Sequence, residues 1–264
     1  MIQKKIKIRQ VMDALERFAP LPLQESYDNA GLQVGLTEAE ISGVLLCLDV
    51  TEAIVDEAVG KGCNLIVAHH PLIFRKLAHI GGGNYVERAV MKAIKNDVAI
   101  VAAHTNLDNA EGGVNFKMAE KIDLQGLSSL QGPVVDGKWG GVVGELPEPM
   151  AAEAFIDLLK RQFGAASLRA NEVLERPIRR VALCGGSGSF MLGDAIRAKA
   201  DAFVTGEMSY HEFFGHEQQI QICVIGHYES EQFTTEILRD IIVKEYPELP
   251  VTIAETCTNP ILYF

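Results

Sequence analysis

Two adjacent histidines, His69 and His70, follow an apolar run, Leu65–Ala68, that predicts a buried β-strand. Imidazole nitrogens are common ligands of first-row metal ions at neutral pH. A strand that ends in two of them therefore indicates one wall of a metal site. Because adjacent side chains of a strand point to opposite faces, one of the two could instead be an ordinary core or capping histidine.

Two further apolar runs also lead to a histidine. Residues 98–103 are followed directly by His104, and residues 220–225 are separated from His227 by one glycine. In both cases a carboxylate follows the histidine by four residues, which gives the pairs His104 with Asp108 and His227 with Glu231. Ligands of α/β proteins bind at the carboxyl ends of strands. We therefore expect the three strand ends to converge on one site.

The predicted elements alternate between strands and helices, which indicates an α/β protein with mostly parallel sheets. Helices are predicted at about residues 8–18, 52–60, 84–96, 150–163 and 191–198, and strands at 43–48, 64–68 and 98–102. From 126 to 144 the pattern breaks into glycines and isolated apolar residues. This break and the length of 264 residues predict two α/β lobes. The first comprises residues 1–125 joined by 247–264, and the second comprises 126–246.

The second lobe resembles a diverged copy of the first. An offset of 137 residues lays residues 181–184 over Val44–Cys47 and, without a gap, residues 201–204 over 64–67. The same offset places Gly206 and Glu207 over the histidine pair. Chance similarity between two βαβ units would explain so short a match equally well. If the repeat is real, two similar lobes face each other and the metal site lies in the cleft between them.

Two first-row metal ions that share a site need about three protein ligands each, usually with one bridging carboxylate. The strand ends supply five candidates: His69, His70, Asp108, His227 and Glu231. Each histidine alone is explained by a satisfied, partly buried imidazole, but their common position at strand ends favours metal binding. We expect Glu231 to bridge the two ions. Mixed imidazole and carboxylate ligands suit zinc, iron, manganese or cobalt.

Three further residues are candidates for catalytic roles beside the metals. His104 could be a ligand, an orienting group or a proton shuttle, and we favour a role other than ligand. Glu207 and His211 follow another predicted strand end and could line the same cleft. A helix N-terminal acid and a surface histidine explain these two residues equally well.

The composition restricts the class of partner. The chain has 24 Lys and Arg against 35 Asp and Glu, a formal charge of -11, which opposes binding to duplex nucleic acid. No segment is apolar enough to span a membrane, and the start of the sequence lacks the apolar region of a signal peptide, so we expect a soluble cytoplasmic protein. The five cysteines include no C-x-x-C pair, which favours nitrogen and oxygen ligands for any metal.

A glycine-rich stretch at residues 184–189 lies between a predicted strand and a predicted helix. Backbone N–H groups in such a loop could bind an anion. The stretch matches neither the Walker loop nor the dinucleotide-binding pattern, and a tight turn explains it equally well.

The sequence resembles the NIF3-like family of dinuclear metal proteins, often labelled GTP cyclohydrolase 1 type 2 homologues, nearly from end to end. The matching motifs are YDNAGLQVG at 27–35, AHHPLIF at 68–74, HTNLD at 104–108 with GGVN at 112–115, CGGSG at 184–188, TGE at 205–207 with His211, and GH at 226–227 with ESE at 229–231. By this resemblance the family's metal ligands fall on the same five residues. It also implies a hexameric ring, a trimer of dimers whose sites face an internal cavity.

The chain departs from the family pattern in two places. Tyr27 stands where the family often has Trp, which affects one contact at the rim of the site. The stretch from 126 to 180 is too short to hold both the ferredoxin-like insert of some members and the ordinary elements of the second lobe.

The leading interpretation is a metal-dependent hydrolase in which a dinuclear centre activates water for attack on a small-molecule substrate. The family label suggests a nucleotide or a phosphoester, although nothing in the sequence specifies a guanine-reading pocket. The alternative is a non-enzymatic metal-binding hexamer that acts as a scaffold or regulatory partner. The ligands of structural and catalytic metal pairs can be identical, so the sequence leaves both open.

Overall fold

Contacts within the chain define two compact units, seen in a computed structural model that describes residues 5–264. Unit 1 comprises residues up to Leu107 together with Thr234–Pro260, and unit 2 comprises Asp108–Phe233 together with Ile261–Phe264. The prediction that the start of the sequence is not a signal peptide concerns residues that lie almost entirely outside the described range. The domain boundaries read from the sequence remain a prediction.

Unit 1 contains a five-stranded sheet in the order β1-β4-β3-β2-β11. Its strands are β1 (Gly31–Val34), β2 (Val44–Cys47), β3 (Leu65–Ala68), β4 (Ala99–Ala102) and β11 (Val251–Ile253). All neighbours are parallel except β1, which runs antiparallel to β4. Every residue of β2, β3 and β4 is buried, as expected of short apolar strands covered on both faces.

In unit 1 the helices at residues 8–18, 52–60 and 85–95 lie close to their predicted positions, and a further helix at 234–245 was not predicted. They are α1 (Ile8–Phe18), α2 (Glu52–Gly60), α3 (Tyr85–Lys95) and α9 (Thr234–Glu245), with a short 3-10 turn at Leu21–Leu23. The Thr51 and Asn84 side chains accept hydrogen bonds from the backbone of the first turns of α2 and α3, which fixes where these two helices begin. One face of the sheet packs with α2 and α3 in a core that includes Leu45, Ile54 and Ile66.

Unit 2 contains a six-stranded mixed sheet in the order β5-β6-β8-β9-β10-β7. Its strands are β5 (Gln125–Ser129), β6 (Val142–Met150), β7 (Arg169–Ala170), β8 (Ile178–Cys184), β9 (Ala202–Thr205) and β10 (Gln221–Val224). The three strands β8, β9 and β10 are parallel, and the others pair antiparallel. Alternate residues of β9 face two cores, since Val204 packs in one with Phe155 while Phe203 packs in the other with Ile222.

Short helices connect the strands of unit 2. They are α5 (Val114–Lys121), α6 (Ala152–Phe163), α7 (Leu192–Arg197) and α8 (His227–Glu231), with 3-10 turns at Gly188–Met191 and Tyr210–Phe213. The boundary between the units falls inside a further helix, α4 (Thr105–Asn109).

The strand registers of the two sheets agree with the offset of the predicted repeat. In the first, Val44 pairs with Leu65, and in the second, Val181 pairs with Ala202. Both residues of the pair shift by the same 137 positions, so the two parallel ββ pairs have identical registers.

The break predicted between residues 126 and 144 is wrong in part, because β5 and the start of β6 lie there. β5 is the edge strand, it is mostly exposed, and its register shifts within the pairing with β6. Such a strand buries no regular apolar face, so it lacks the alternation by which strands are recognised in sequence.

No helix among residues 5–264 is long and apolar enough to cross a membrane.

Candidate metal-binding clusters

Three histidines lie together at the carboxyl edge of the sheet in unit 1. His69 and His70 directly follow β3, and His104 follows the neighbouring strand β4, whose Ala102 pairs with Ala68. Each histidine offers a ring nitrogen within 4.8 Å of those of the other two, and the ring centroids are 4.9 to 5.4 Å apart. The predicted convergence of these two strand ends is thus present in the fold.

The Nδ1 atom of each ring lies against an oxygen. His69 Nδ1 is 2.8 Å from the carbonyl oxygen of Ala103, and His70 Nδ1 is 2.7 Å from Asp49 Oδ1. His104 Nδ1 is 2.7 Å from Asp28 Oδ1. A carbonyl or an ionised carboxylate only accepts hydrogen bonds, so Nδ1 carries a hydrogen, and the neutral imidazole then has its lone pair on Nε2. This is the tautomer of histidines that bind a metal through Nε2.

Asp28 is held firmly in its position beside His104. Its carboxylate also accepts hydrogen bonds from the backbone N–H of Thr105 at 3.0 Å and from the Thr105 hydroxyl. Burial acts to raise the pKa of Asp28, but the bonds from His104 and Thr105 outweigh it and hold the pKa at about 2. Asp28 is therefore ionised at neutral pH.

Asp49 plays the same part for His70. Its second oxygen accepts from the Thr258 hydroxyl at 3.0 Å. Burial acts to raise the pKa of Asp49, and the bond from His70 overcomes it, so that the pKa is lower than usual. The segment after β11 thus helps to position an imidazole at the end of β3.

In unit 2, His227 and Glu231 are the first and last residues of α8. Residues four apart lie on the same face of a helix, and His227 Nε2 is 3.0 Å from Glu231 Oε2. The other nitrogen, Nδ1, is 3.1 Å from Oε1 of Glu207, which follows β9. Glu207 is held in turn by the Ser187 hydroxyl, which donates to Oε2 at 2.6 Å. That bond lowers the pKa of Glu207 against the effect of burial, with help from the charge of His227.

Asp108 and Glu231 also lie together in unit 2. Each offers a carboxylate oxygen within 4.8 Å of the other. The buried Asn115 amide donates to the backbone carbonyl of Asp108 at 3.1 Å and accepts from Gly185 N–H at 2.9 Å. Two neighbouring carboxylates repel each other unless a cation lies between them, so this pair fits a bound metal ion.

The Cys184 thiol is buried beside these carboxylates. Burial raises the pKa of Cys184, and the charges of Asp108 and Glu231 raise it further. Among the described residues, no group of three potential metal ligands includes Cys184, which packs in an apolar core with Phe203. This agrees with the predicted preference for nitrogen and oxygen ligands.

The glycine-rich stretch is a tightly packed turn in contact with Glu231. A Cβ atom on Gly186, which has φ +57°, would lie 2.2 Å from Glu231 Oε1. Three backbone N–H groups of the turn donate to side chains, those of Gly185 to Asn115, Gly186 to Ser230 and Gly188 to Thr205. An anion on these amides would have to displace those bonds, so the structure favours the tight-turn interpretation over the anion-binding one.

His211 lies apart from the other candidates in its contacts. It is on the 3-10 turn Tyr210–Phe213 and packs against the rings of Tyr210 and Phe214. Among the described residues, no group of three potential metal ligands includes it.

Asp28 and Asp49 were not identified from the sequence as site residues. Asp49 follows β2 by two positions, so the same strand-end argument that selected the histidines could have found it. Asp28 lies in a loop 76 residues before His104, and only its membership of a family motif could have drawn attention to it.

The donors described here suit a divalent first-row metal, because histidines anchored through Nδ1 and clustered carboxylates are the usual ligands of such ions. The groups in unit 1 and unit 2 could therefore hold a metal ion.

Comparison with known proteins identifies the family. Residues 6–260 match the family model described as Duf34/NIF3 (NGG1p interacting factor 3). A GTP cyclohydrolase 1 type 2 homolog of Clostridium perfringens is 36% identical over 228 residues, covering 86% of this chain and 87% of the relative. One of the same name from Campylobacter jejuni is 30% identical, covering 98% and 100%.

A solved structure shows the same fold. A hypothetical protein of Staphylococcus aureus superposes with a TM-score of 0.90 at 28% identity, covering 99% of this chain and 100% of that one. A Bacillus cereus protein related to NIF3 has the fold as well, with a TM-score of 0.89 at 24% identity and coverage of 99% and 100%. The chain belongs to the Duf34/NIF3 family.

Proposed function

We propose that the chain is a metal-dependent hydrolase with a dinuclear centre. The proposed ligands are His69, His70, Asp108, His227 and Glu231, with Glu231 shared between the two ions. The observation that carries the proposal is the anchoring of His69 and His70 through Nδ1, which directs their Nε2 lone pairs toward a ligand position. The proximity of the Asp108 and Glu231 carboxylates supports it.

A bound pair of divalent ions would supply Lewis acidity and lower the pKa of a water molecule. The protein residues would orient the reactants and move protons. His104 would accept a proton at Nε2, because Asp28 holds the hydrogen on Nδ1. Glu207 would hold a hydrogen of His227 on Nδ1, which would leave the Nε2 lone pair, on the side of Glu231, to bind an ion.

Several finer features belong to the same proposal. The metals would be zinc, iron, manganese or cobalt, and the substrate is a small molecule that remains unassigned. The name of the relatives suggests testing GTP and other nucleotides. We also propose a cytoplasmic homo-hexamer built as a trimer of dimers, for which sedimentation should show six chains at micromolar concentration. A monomer would contradict this assembly.

Metal analysis of three variants tests the ligand set. The protein, resupplied with zinc or manganese, should contain two ions per chain. Glu231→Ala should release both, because it removes a ligand from each ion and the anion between them. His104→Ala should keep both ions and lower any hydrolytic rate, as expected of an orienting or proton-transfer group. Glu175→Ala, at an exposed position of unit 2, is the control.

Loss of an ion from His104→Ala together with retention of both by Glu231→Ala would show that the roles are assigned wrongly. Activity should be measured on phosphoesters, cyclic amides and nucleotides, with the Glu231→Gln variant as the inactive control. Two firmly bound ions with no turnover of any of these would favour the scaffold interpretation over the hydrolase.

A further inference from the structure

Unit 2 contains a cavity of about 610 Å³, within the range of ligand-binding pockets. It lies at the carboxyl edge of β9 and β10, and all its lining residues belong to this unit. Among its lining residues, Arg169 carries a positive charge and Glu207 a negative charge, and His227 also lines the cavity. The cavity is thus adjacent to the His227–Glu231 pair but extends beyond it.

The two charged residues lie on opposite sides of β10. Arg169 on β7 pairs with Val224 of β10, and on the other side Val224 pairs with Thr205 of β9. Glu207 follows Thr205 by two residues. Neighbouring strands are about 4.8 Å apart, so the backbones that carry the two charges are roughly 10 Å apart.

Arg169 and Glu207 are both held by neighbouring groups. The Arg169 guanidinium carbon lies 5.9 Å from the centre of the Phe213 ring, a distance at which cation and ring attract. Glu207 is held by the Ser187 hydroxyl. Both side chains are partly exposed, so they can reach a ligand in the cavity while each keeps a contact that restricts it.

The remaining walls are of mixed polarity. Met208, Val224, Ile261 and Tyr263 provide apolar surface, and four serines provide hydroxyl groups. One of these, Ser187, already donates its hydrogen to Glu207 and can only accept from a ligand. A simple anion would be attracted by Arg169 and repelled by Glu207, and a simple cation would meet the reverse. A molecule with unlike charges at its two ends is attracted by both.

We propose that this cavity binds a zwitterion with the size of a dipeptide or tripeptide. Its carboxylate pairs with Arg169, its ammonium group with Glu207, and its peptide groups bond to the serine hydroxyls. An extended chain spans about 3.3–3.6 Å per residue, so three residues span the roughly 10 Å between the backbones that carry the charges, and two suffice where the side chains reach toward each other. Binding of such a peptide does not depend on the proposed hydrolytic function.

Calorimetric titration with three matched probes tests the proposal. The probes are the dipeptide leucyl-alanine, its N-acetyl derivative, which lacks the ammonium group, and its C-terminal amide, which lacks the carboxylate. The dipeptide should bind at least about fivefold more tightly than either derivative, because each loses one charge-assisted interaction. Each titration is made on the full chain with EDTA and again with zinc. Peptide binding in EDTA does not require a bound metal, so its absence there contradicts the peptide proposal alone. Failure of the metal proposal would appear instead in the metal analysis.

Two variants locate the charges that discriminate the probes. In Arg169→Met the dipeptide and its amide should bind equally, and in Glu207→Gln the dipeptide and its N-acetyl derivative should bind equally. Arg161→Met and Glu175→Gln, at exposed positions of the same unit, should retain the parental preferences. Circular dichroism confirms that each variant is folded.

Three outcomes would overturn the proposal. One is absence of dipeptide binding at millimolar concentration. Another is that Arg169→Met and Glu207→Gln both bind the dipeptide with the same preference over its two derivatives as the parent does. The third is binding of the N-acetyl derivative as tight as that of the dipeptide, with displacement of both by inorganic phosphate, which would identify an anion site instead.

Discussion

Replacement of Gly186 by alanine should release metal from the protein while costing about as much stability as the same replacement at another glycine with positive φ. Gly186 has φ +57°, and an added Cβ would lie 2.2 Å from Glu231 Oε1. Real contacts of this kind are at least 3.0 Å, so the carboxylate must move by about 0.8 Å or more. Metal–ligand distances tolerate only about 0.2 Å. The methyl group therefore displaces a proposed ligand of both ions.

Gly164 provides the matched control. It has φ +62°, and nothing lies within 4 Å of the position its Cβ would take. Alanine in the left-handed region costs about 1–2 kcal/mol, and both variants pay this cost. The atom that Gly186→Ala strikes is the end of a flexible side chain, so we expect the free energies of unfolding of the two variants to agree within about 1 kcal/mol.

The assay combines urea unfolding of the chelated proteins with competitive zinc titration of the folded ones. Gly164→Ala should bind zinc as the parent does, and Gly186→Ala should bind it at least about tenfold more weakly, in line with the effect of disturbing a ligand's support. Parental zinc affinity in Gly186→Ala would refute the assignment of Glu231 as a ligand. A much larger loss of stability in Gly186→Ala than in Gly164→Ala would show that the turn, rather than the carboxylate, yields to the methyl group.

Three further predictions concern features other than the proposed ligands, namely two partly buried carboxylates and the net charge. Asp28→Ala should lower the free energy of unfolding by about 1.5–3 kcal/mol, the usual value of a hydrogen bond to a charged group, because it removes the acceptor of the His104 Nδ1 hydrogen. Nitrogen NMR should then show the hydrogen shared between the two ring nitrogens of His104, and a hydrogen still held on Nδ1 would contradict this. The Glu57 carboxylate accepts hydrogen bonds from the backbone N–H groups of Glu255 and Thr256. Burial acts to raise the pKa of Glu57, but these bonds and those from the Thr256 and Lys61 side chains lower it to about 2. The ionised carboxylate should therefore stabilise the fold by about 1–2 kcal/mol after allowance for solvent screening. This stabilisation is complete above the unfolded pKa near 4.5 and is lost as the pH falls toward 2. Chemical unfolding should show that the difference in unfolding free energy between the parent and Glu57→Gln vanishes over that range. A difference that stays constant would show that the ionised carboxylate is not its cause. Fluorescence anisotropy should detect no binding of duplex DNA at physiological salt, given the charge of -11, and micromolar binding that weakens with salt would contradict this.

Strand ends could be predicted from the sequence because continuous apolar runs and the polar residues after them are both local signals. The runs that became β2, β3 and β4 lie within one or two residues of their predicted limits, and His69, His70 and His104 meet as expected of neighbouring strands. β5 escaped prediction because an exposed edge strand carries no such signal.

The partners of the histidines could not be predicted in this way, because they come from distant parts of the chain. Asp49 lies 21 residues before His70, and Asp28 lies 76 residues before His104. Sequence spacing defines pairs within one helical turn, such as His227 and Glu231, but a contact between two loops depends on the order of strands in the sheet. Only the fold specifies that order.

Corresponding positions of the two sheets carry different residues, and their histidines are anchored differently. The offset of 137 residues that relates the strand registers places Asp49 over Gly186 and His70 over Glu207. In unit 1 the carboxylate at the first position anchors the imidazole at the second. In unit 2 the first position is a glycine, and a Cβ atom there would lie 2.2 Å from Glu231 Oε1. The carboxylate is at the second position, where Glu207 contacts His227 from the next strand end. A side chain at residue 186 would collide with Glu231, so the arrangement of unit 1 cannot form in unit 2 while Glu231 keeps its position.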